Sequence, residues 1–208
     1  MTLQNLRETR TAVSDFELRA TETGGSVLIG YAAKFNTRSQ DLGGWVETIQ
    51  PGAFTRALDE AHDVRALFNH DPNMVLGRTT AGTLRLEQDS IGLRYEVDLP
   101  NTSAGRDLAE SLRRGDISQS SFGFRTIQDD WSYDGDGRDL RKLMDLTLYD
   151  VSPVTYPAYL DTNSGIAQRS LAKARAEREP VAKSLRAYEL EAEIDSTRLA
   201  IIALTIGD

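Results

Sequence analysis

Hydrophobic and polar residues alternate with a period of two over much of the chain from Asp15 to Tyr159, as they do in half-buried β-strands. A glycine turn at Gly24 and Gly25 joins two predicted strands, FELRA and SVLIGYAAKFN. A second predicted hairpin, TLRLEQDSIGLRYEVDLP, has its polar turn at residues 88–92. The pattern therefore predicts a fold that consists mainly of strands.

A further predicted strand ends in a histidine. In the segment DVRALFNHD, Ala66, Phe68 and His70 occupy alternate positions and so share one face of the strand. Asp71 and Pro72 follow, and an Asp-Pro pair favours a turn. We therefore expect the imidazole of His70 to lie at the open end of a strand.

Two segments have the spacing of helices. In IQPGAFTRALDEA, Phe54 and Ala57 recur at the interval of one helical face. In NTSAGRDLAESLRRGD, polar capping residues come first, Leu108 and Leu112 form an apolar stripe, and Gly115 stands where a left-handed residue would end the helix. These patterns predict one short helix and one longer helix.

The region after the longer helix returns to strands. The segments ISQSSFGFRTI and LRKLMDLTLYDVSPVTYPAY predict two strands on either side of a loop, DDWSYDGDGRD, that is rich in Asp and Gly. Pro153 and Pro157 interrupt the second strand, so the regular fold is expected to end near Tyr159.

The last part of the chain differs in composition from what precedes it. Small and polar residues follow Leu160, and a helix-forming segment with spaced apolar residues covers 181–204. We therefore predict a folded domain over residues 1–159 and a linker with an amphipathic helical tail over residues 160–208.

Composition narrows the classes of function. A chain of 208 residues is long enough to bury a core in one domain. Its 24 Lys and Arg residues are outnumbered by 32 Asp and Glu residues, and the net charge of -8 argues against a nucleic-acid partner. The chain has no cysteine, which excludes disulfides, thiolate metal sites and cysteine nucleophiles. We expect a soluble protein without a secretory leader or a membrane span.

Histidine is scarce, so few residues can act as a general base near neutral pH. The chain has two histidines, His62 and His70. His62 lies in the charged helix end DEAHD, where a surface role is the simpler interpretation. Together with Asp63 and Asp71 the histidines form a cluster of metal-ligand types, but the helical H-x-x-x-H spacing is absent. The loop DGDGRD lacks the distal Glu of a calcium loop and is expected to be a hairpin tip, so we expect no metal and no cofactor.

Three serines stand close together in RGDISQSSFGFR. Ser118, Ser120 and Ser121 lie on the edge of a predicted strand, where hydroxyl residues are common and need no catalytic explanation. The chain has no G-x-S-x-G motif, so the serines do not fit an α/β-hydrolase. The residues alone leave open whether one of these hydroxyls is a nucleophile.

Six segments of the chain, taken together and in their order, identify a resemblance more specifically than any one of them alone. Between Gly30 and Tyr159 the chain contains GYAAKFN, ETIQPGAF, LFNHD, LGRT with TLRLEQDSIGL, RGDISQSSFGF and LYDVSPVTYPAY. Together these segments resemble the HK97-type prohead (capsid maturation) serine proteases of tailed bacteriophages, which are related to the herpesvirus assemblins. The resemblance implies an α+β, mainly β fold: an antiparallel β-barrel surrounded by helices, here with a helical C-terminal tail.

The resemblance also implies the site. The histidine of the N-H-D word is His70, which would be the base, and the serine directly before Phe-Gly-Phe is Ser121, which would be the nucleophile. Phage relatives have an acid in the position of Asp150, the first residue of DVSPV, whereas assemblins have a second histidine that this chain lacks. Asp145 or Asp71 would be the alternatives for the third member.

The implied activity is that of a serine endopeptidase. Its expected substrate and partner is the major capsid protein, whose scaffolding segment is cut inside the assembling procapsid in the host cytoplasm, and the protease often cuts itself. No nucleic acid or membrane is an expected partner, and a homo-oligomer is possible. The tail over residues 160–208 would dock on scaffold or shell, or else fold back or pair in a dimer.

Two other classes of function fit the same residues. One is a catalytically inactive β-barrel module for capsid assembly or scaffold binding, since activity is lost with a single side chain. The other is an esterase or acyl-transferring enzyme that uses the same three residues. A covalent serine probe and a capsid-cleavage assay together separate these classes.

Overall fold

The structure is a computed structural model that describes residues 7–22, 24–156 and 165–206. The chain divides into two compact units, Met1–Ser164 and Gly165–Asp208. The predicted domain boundary between residues 159 and 160, with Pro157 and Tyr159 near it, lies outside the described residues.

The first unit contains ten strands and two α-helices within its described residues. In chain order these are β1 (Glu8–Val13), β2 (Glu17–Ala20), β3 (Ser26–Lys34), β4 (Trp45–Ile49), α1 (Thr55–Asp59), β5 (Arg65–Phe68), β6 (Asp71–Arg78), β7 (Leu84–Gln88), β8 (Gly92–Asp98), α2 (Ser103–Arg114), β9 (Gln119–Tyr133) and β10 (Asp139–Val154). The mixed and mainly β composition that the sequence predicts is confirmed.

The strands form two sheets. One has the order β1-β9-β10-β5-β6, with β4 also paired to β10, and the other has the order β2-β3-β8-β7. The pairings among the described residues do not join these sheets into the closed antiparallel barrel that was expected. Strand β10 pairs antiparallel with β9 across a short hairpin but parallel with β4 and β5. Parallel pairing requires a long connection, and the β7–β8 hairpin and α2 lie between β5 and β10 in the chain.

Several local predictions are confirmed and several are wrong. The turns at Gly24 and at residues 88–92 are present, and α2 begins after a Thr102 cap and ends at Gly115, whose φ is 79°. The residues DDWSY belong to β9 rather than to a loop, so that the hairpin tip is residues 134–138. Pro153 lies inside β10, where its carbonyl accepts a hydrogen bond from the backbone of Asn69.

The two faces of β9 differ in what they contact. Because neighbouring side chains point to opposite faces, Ser120, Phe122 and Phe124 face the hydrophobic core. The rings of Phe122 and Phe124 stack with centroids 4.8 Å apart, and Phe54 meets Phe122 edge-on at 5.6 Å. The alternation therefore places Ser121 on the opposite face.

A cluster of charged residues holds β1 against the rest of its sheet. The guanidinium of Arg141 is fully buried and pairs with Glu8 at 2.8 Å, Glu47 at 3.1 Å and Asp129 at 2.7 Å. Burial alone would lower the pKa of Arg141, but the carboxylates of Glu47 and Glu8 raise it above its ordinary value. Arg10 of β1 pairs with the same two glutamates. Since removing one partner from such a cluster costs about 3–5 kcal/mol, β1 is firmly attached.

The second unit is a single described helix, α3 (Gly165–Ile206), which contains Pro180. The helix starts before residue 181, so the part of the predicted linker from 165 to 180 is helical, consistent with its many Ala, Glu, Lys and Arg residues. At 100° per residue, the exposed side chains of Val181, Leu185 and Tyr188 share one face, and those of Leu190 and Ile194 lie nearly opposite. These residues do not form the single apolar face of an amphipathic helix. No helix in the described ranges is long and apolar enough to cross a membrane.

Candidate active site

His70 lies in the turn between β5 and β6 rather than on a strand. Phe68 pairs with Asp71, which leaves Asn69 and His70 as a two-residue hairpin turn with φ values of 54° and 58°. Left-handed values at both positions are typical of a type I′ turn, which asparagine tolerates well and histidine less well. The predicted turn at Asp71 and Pro72 is wrong, because both residues belong to β6. His70 is held in an uncommon backbone conformation.

Asn69 attaches this turn to the end of β10. Its backbone N–H donates to the Pro153 carbonyl at 3.1 Å, and its side-chain oxygen accepts from the backbone N–H of Thr155 at 2.8 Å. Its side-chain amide also contacts the Thr155 hydroxyl at 3.1 Å. These three hydrogen bonds fix the position of the imidazole relative to β10, and they compensate the strain of a left-handed turn.

Ser121 lies within hydrogen-bond distance of the imidazole. Its Oγ is 2.7 Å from His70 Nε2, although 51 positions separate the two residues in the chain. Ser120 instead contacts the buried Tyr95 hydroxyl at 3.2 Å and donates to the Ser152 carbonyl at 3.3 Å. Ser118 precedes the strand and is exposed. Of the three serines, Ser121 is therefore the one beside the histidine.

Asp150 lies on the other side of the imidazole. Its Oδ2 is 2.5 Å from His70 Nδ1, and β10 places it opposite Gly123 of β9. Ser152, two positions further along the same face of β10, donates a hydrogen bond to Asp150 Oδ2 at 2.9 Å. Asp150 is almost fully buried, with 1% of its surface exposed.

The alternative acids have other partners. Asp145 pairs with the guanidinium of Arg56 at 2.9 Å, on the side of β10 next to α1. Asp71 accepts a hydrogen bond from the backbone N–H of Asn73 at 2.8 Å and so stabilises the start of β6. His62 contacts Glu60 at 3.0 Å just after α1. The structure thus brings together His70, Ser121 and Asp150 and leaves these other candidates apart from them.

Arg7 is a further charged residue in the site. Its guanidinium forms an ion pair with Asp150 Oδ1, and its Nη2 lies 3.5 Å from His70 Nδ1. Both groups occupy the space above Gly123, where an added Cβ would lie 2.2 Å from Asp150 Oδ1 and 2.5 Å from Arg7 Nε. The glycine between the two phenylalanines of the F-G-F word therefore makes room for this ion pair.

The surroundings keep His70 uncharged near neutral pH. Burial, together with the positive charge of Arg7, lowers the pKa of His70 to about 4. Because the carboxylate of Asp150 is an acceptor at Nδ1, a neutral His70 carries its proton on Nδ1 and leaves Nε2 free to accept one. The single proton of the Ser121 hydroxyl has two possible acceptors, His70 Nε2 and the backbone carbonyl of Arg10 at 2.9 Å.

This arrangement can activate a hydroxyl. A neutral imidazole that accepts the proton of a serine, with a carboxylate on its other nitrogen, converts a weak nucleophile into an effective one. Sequence reasoning missed Arg7 and Ser152. The alternation of β10 would have placed Ser152 on the face of Asp150, whereas Arg7 belongs to a part of the chain with no recognisable strand pattern.

Comparison with known proteins identifies the family. The family model of caudovirus prohead serine proteases matches residues 14–177, which is most of the chain. The chain belongs to this family, and the resemblance seen in the sequence is confirmed.

Two curated relatives are prohead proteases of bacteriophages. That of Enterobacteria phage HK97 is 30% identical over 144 residues, covering 68% of this chain and 59% of the relative. That of Escherichia phage T5 is 27% identical over 134 residues, covering 64% of this chain and 60% of the relative. The chain therefore matches about three fifths of the length of each relative.

A solved structure of the bacteriophage T4 capsid assembly protease is also similar. It is 12% identical, has a TM-score of 0.49, and the match covers 71% of this chain and 96% of that chain.

Proposed function

We propose that the protein is a serine endopeptidase in which Ser121 is the nucleophile, His70 the general base and Asp150 the residue that orients His70. The observation that carries the proposal is the hydrogen-bonded chain from Ser121 Oγ to His70 Nε2 at 2.7 Å and from His70 Nδ1 to Asp150 Oδ2 at 2.5 Å. Membership of a family of prohead serine proteases supports the same assignment.

In the first step, Ser121 Oγ attacks the carbonyl carbon of a peptide bond while its proton moves to His70 Nε2. The resulting imidazolium is stabilised by Asp150, which holds the Nδ1 proton and so fixes the tautomer. His70 then donates the Nε2 proton to the leaving amine, and the acyl group stays on Ser121 until water removes it. Ser152 keeps the Asp150 carboxylate turned toward His70 through its own hydrogen bond.

The substrate that fits the family is the major capsid protein. The curated relatives are named prohead proteases, which supports cleavage of the capsid protein's scaffolding segment inside the assembling procapsid of the infected host. Cleavage of the chain by itself, within the tail over residues 160–208, belongs to the same proposal. The division into a barrel-like domain over residues 1–159 and a tail over residues 160–208, and the relation to herpesvirus assemblins, also stay part of the proposal.

The decisive variant is Ser121→Ala in the full chain. Co-expression with the major capsid protein should give processed capsid protein with the unchanged chain and none with the variant, a loss of about 10⁶-fold in rate. A fluorophosphonate probe should label the unchanged chain and not the variant. The matched control is Ser118→Ala, which removes an exposed hydroxyl from the same segment and should leave both readouts unchanged.

The two rival functions predict different results. An inactive capsid-binding module would bind the capsid protein but neither label nor cleave. An esterase or acyltransferase would label at Ser121 but leave the capsid protein intact. Processing that persists in Ser121→Ala would transfer the role of nucleophile to another hydroxyl and overturn the assignment.

A further inference from the structure

Arg7 is a charged group for which the proposed mechanism has no use. It forms an ion pair with Asp150 Oδ1 and lies 3.5 Å from His70 Nδ1. Its side chain, directly before β1, is 41% exposed, whereas the side chain of Asp150 is 2% exposed. Arg7 is therefore the partner of this ion pair that can move into water without unfolding the sheet.

The charge of Arg7 opposes the proposed reaction. Attack by Ser121 places a positive charge on His70, which Asp150 stabilises through its negative charge. The positive charge of Arg7 offsets the charge of that carboxylate and lies close to the imidazole, where it repels the positive charge that forms there. In a largely buried site such a charge destabilises the imidazolium strongly, because the surroundings screen it less than water does. With Arg7 in place, the transition state is higher in energy than it would be without Arg7.

A second contact from β1 restrains the nucleophile itself. Ser121 is fully buried, and the carbonyl of Arg10, 2.9 Å from its hydroxyl, competes with His70 Nε2 for the hydroxyl proton. Thr11 of β1 stands opposite Ser121 in the sheet. A hydroxyl that donates to a backbone carbonyl cannot at the same time donate its single proton to His70. Two independent contacts from the segment of residues 7–13 therefore act against catalysis.

Building on the proposed function, we infer that Arg7 is a restraining residue, whose pairing with Asp150 holds the site in a state of low reactivity. Withdrawal of the Arg7 side chain into solvent leaves Asp150 free to stabilise the imidazolium and makes Ser121 more reactive. Such a restraint suits a protease that is proposed to act inside the assembling procapsid. The chemistry that would release it is an anionic group that competes with Asp150 for the guanidinium.

Few other charges face the imidazole. From β10, Asp150 and the uncharged Ser152 contact it, and from β9 the uncharged Ser121 does. On its own hairpin, Asp71 is adjacent and is occupied with the backbone of Asn73. The phenol of Tyr149 interacts with Arg7. The charge of Arg7 should therefore have a visible effect on the titration of His70.

The first test is an NMR titration of the histidine rings in the full chain. The chain has two histidines, so a His62→Gln variant assigns both signals. The midpoint of His70 should lie below the ordinary value of 6.5 in the unchanged chain and should rise in Arg7→Gln. Arg7→Lys, which keeps the charge, should titrate like the unchanged chain.

The second test is the rate of labelling of Ser121 by a fluorophosphonate at pH 7. Arg7→Gln should label about 3- to 10-fold faster than the unchanged chain, because a more basic imidazole accepts the serine proton more readily. The labelling rate of Arg7→Lys, which keeps the charge, should be within about twofold of that of the unchanged chain. The matched control is Arg19→Gln, which removes an exposed Arg–carboxylate pair with Glu17 and should change neither readout.

The outcomes separate this inference from the proposed function. Slower or unchanged labelling of Arg7→Gln, or a His70 midpoint that does not rise, overturns the restraint. If Arg7→Gln fails to fold, Arg7→Met, which keeps a side chain of similar length without the charge, carries the same two readouts, and a His70 midpoint that does not rise in it overturns the restraint. If His70 titrates as expected but neither chain labels or cleaves, the restraint of the imidazole stands and the proposed protease activity fails.

Discussion

The two faces of the β9–β10 pair are equally buried but differ in their chemistry. On one face Phe122, Phe124 and Val151 are 1% exposed or less and contact apolar side chains. On the other face Ser121 and Asp150 are just as buried, at 0% and 1%, yet contact His70 and Arg7. Burial alone therefore does not identify a hydrophobic core. The buried polar groups of this face are hydrogen-bonded around His70, whereas those around Arg141 hold β1 in its sheet.

Among variants of the two faces, Asp150→Asn on the polar face should cause the largest loss of activity. A carboxylate presents an acceptor oxygen to the Nδ1 proton in either orientation, whereas an amide presents one in a single orientation and carries no charge. His70 would therefore lose its favoured tautomer and its counter-ion. We expect kcat for capsid-peptide cleavage to fall by about 10⁴-fold. The measurement is steady-state cleavage of a fluorogenic peptide, with circular dichroism to show that the fold persists. Val151→Ala, the neighbour on the apolar face, should keep most of the activity.

Phe122→Ala on the apolar face should instead lower the stability of the fold and change the reactivity of Ser121 far less. Removing a buried ring that packs against Phe54 and Phe124 leaves a cavity, and such changes cost about 3–5 kcal/mol in the free energy of unfolding. Urea denaturation measures the loss directly. Among molecules that remain folded, the rate of probe labelling at Ser121 should change far less than in Asp150→Asn. A variant that kept its stability but lost labelling would contradict the division between the faces.

The smallest effect should come from Ser120→Ala. This serine is adjacent to the proposed nucleophile but faces the core, where it bonds the Tyr95 hydroxyl and the Ser152 carbonyl. Its removal leaves the buried Tyr95 hydroxyl without this partner, at a cost of about 1–3 kcal/mol in stability. Activity should stay within about threefold of the unchanged chain, because Ser120 does not contact His70. Loss of activity comparable to that of Ser121→Ala would assign Ser120 a role in the chemistry.

Local sequence patterns predicted the parts of the fold that local interactions stabilise. The capped helix α2 and the hairpin turn at residues 88–92 are examples, because their signals lie within a few residues of each other. The candidate residues His70, Ser121 and Asp150 came from resemblance, not from pattern. Alternation on β9 and β10 explains why Ser121 and Asp150 face the same side, but only the fold shows that the two strands and the turn with His70 are neighbours.

Strand β1 could not be predicted from its own residues. Its inward positions include the charged Glu8 and Arg10, which alternation rules would place in water. Glu8 is buried because Arg141, 133 positions away in the chain, neutralises it. Burial raises the pKa of Glu8, but the charges of Arg141 and Arg10 and the hydrogen bonds from Arg141 and Thr126 bring it below its ordinary value. Because the partner is so distant in the chain, the residues around Glu8 give no sign that its side chain is buried.

The sheet order has a consequence for a nascent chain on the ribosome. Of the described strands, β1 is made first, yet its partner β9 ends at Tyr133, and β10, which carries Asp150, ends at Val154. Until β9 has left the exit tunnel, β1 has no partner strand, and until β10 has left it, the imidazole has no carboxylate beside it. A truncated translation product that stops before β10 therefore lacks the carboxylate of the proposed site.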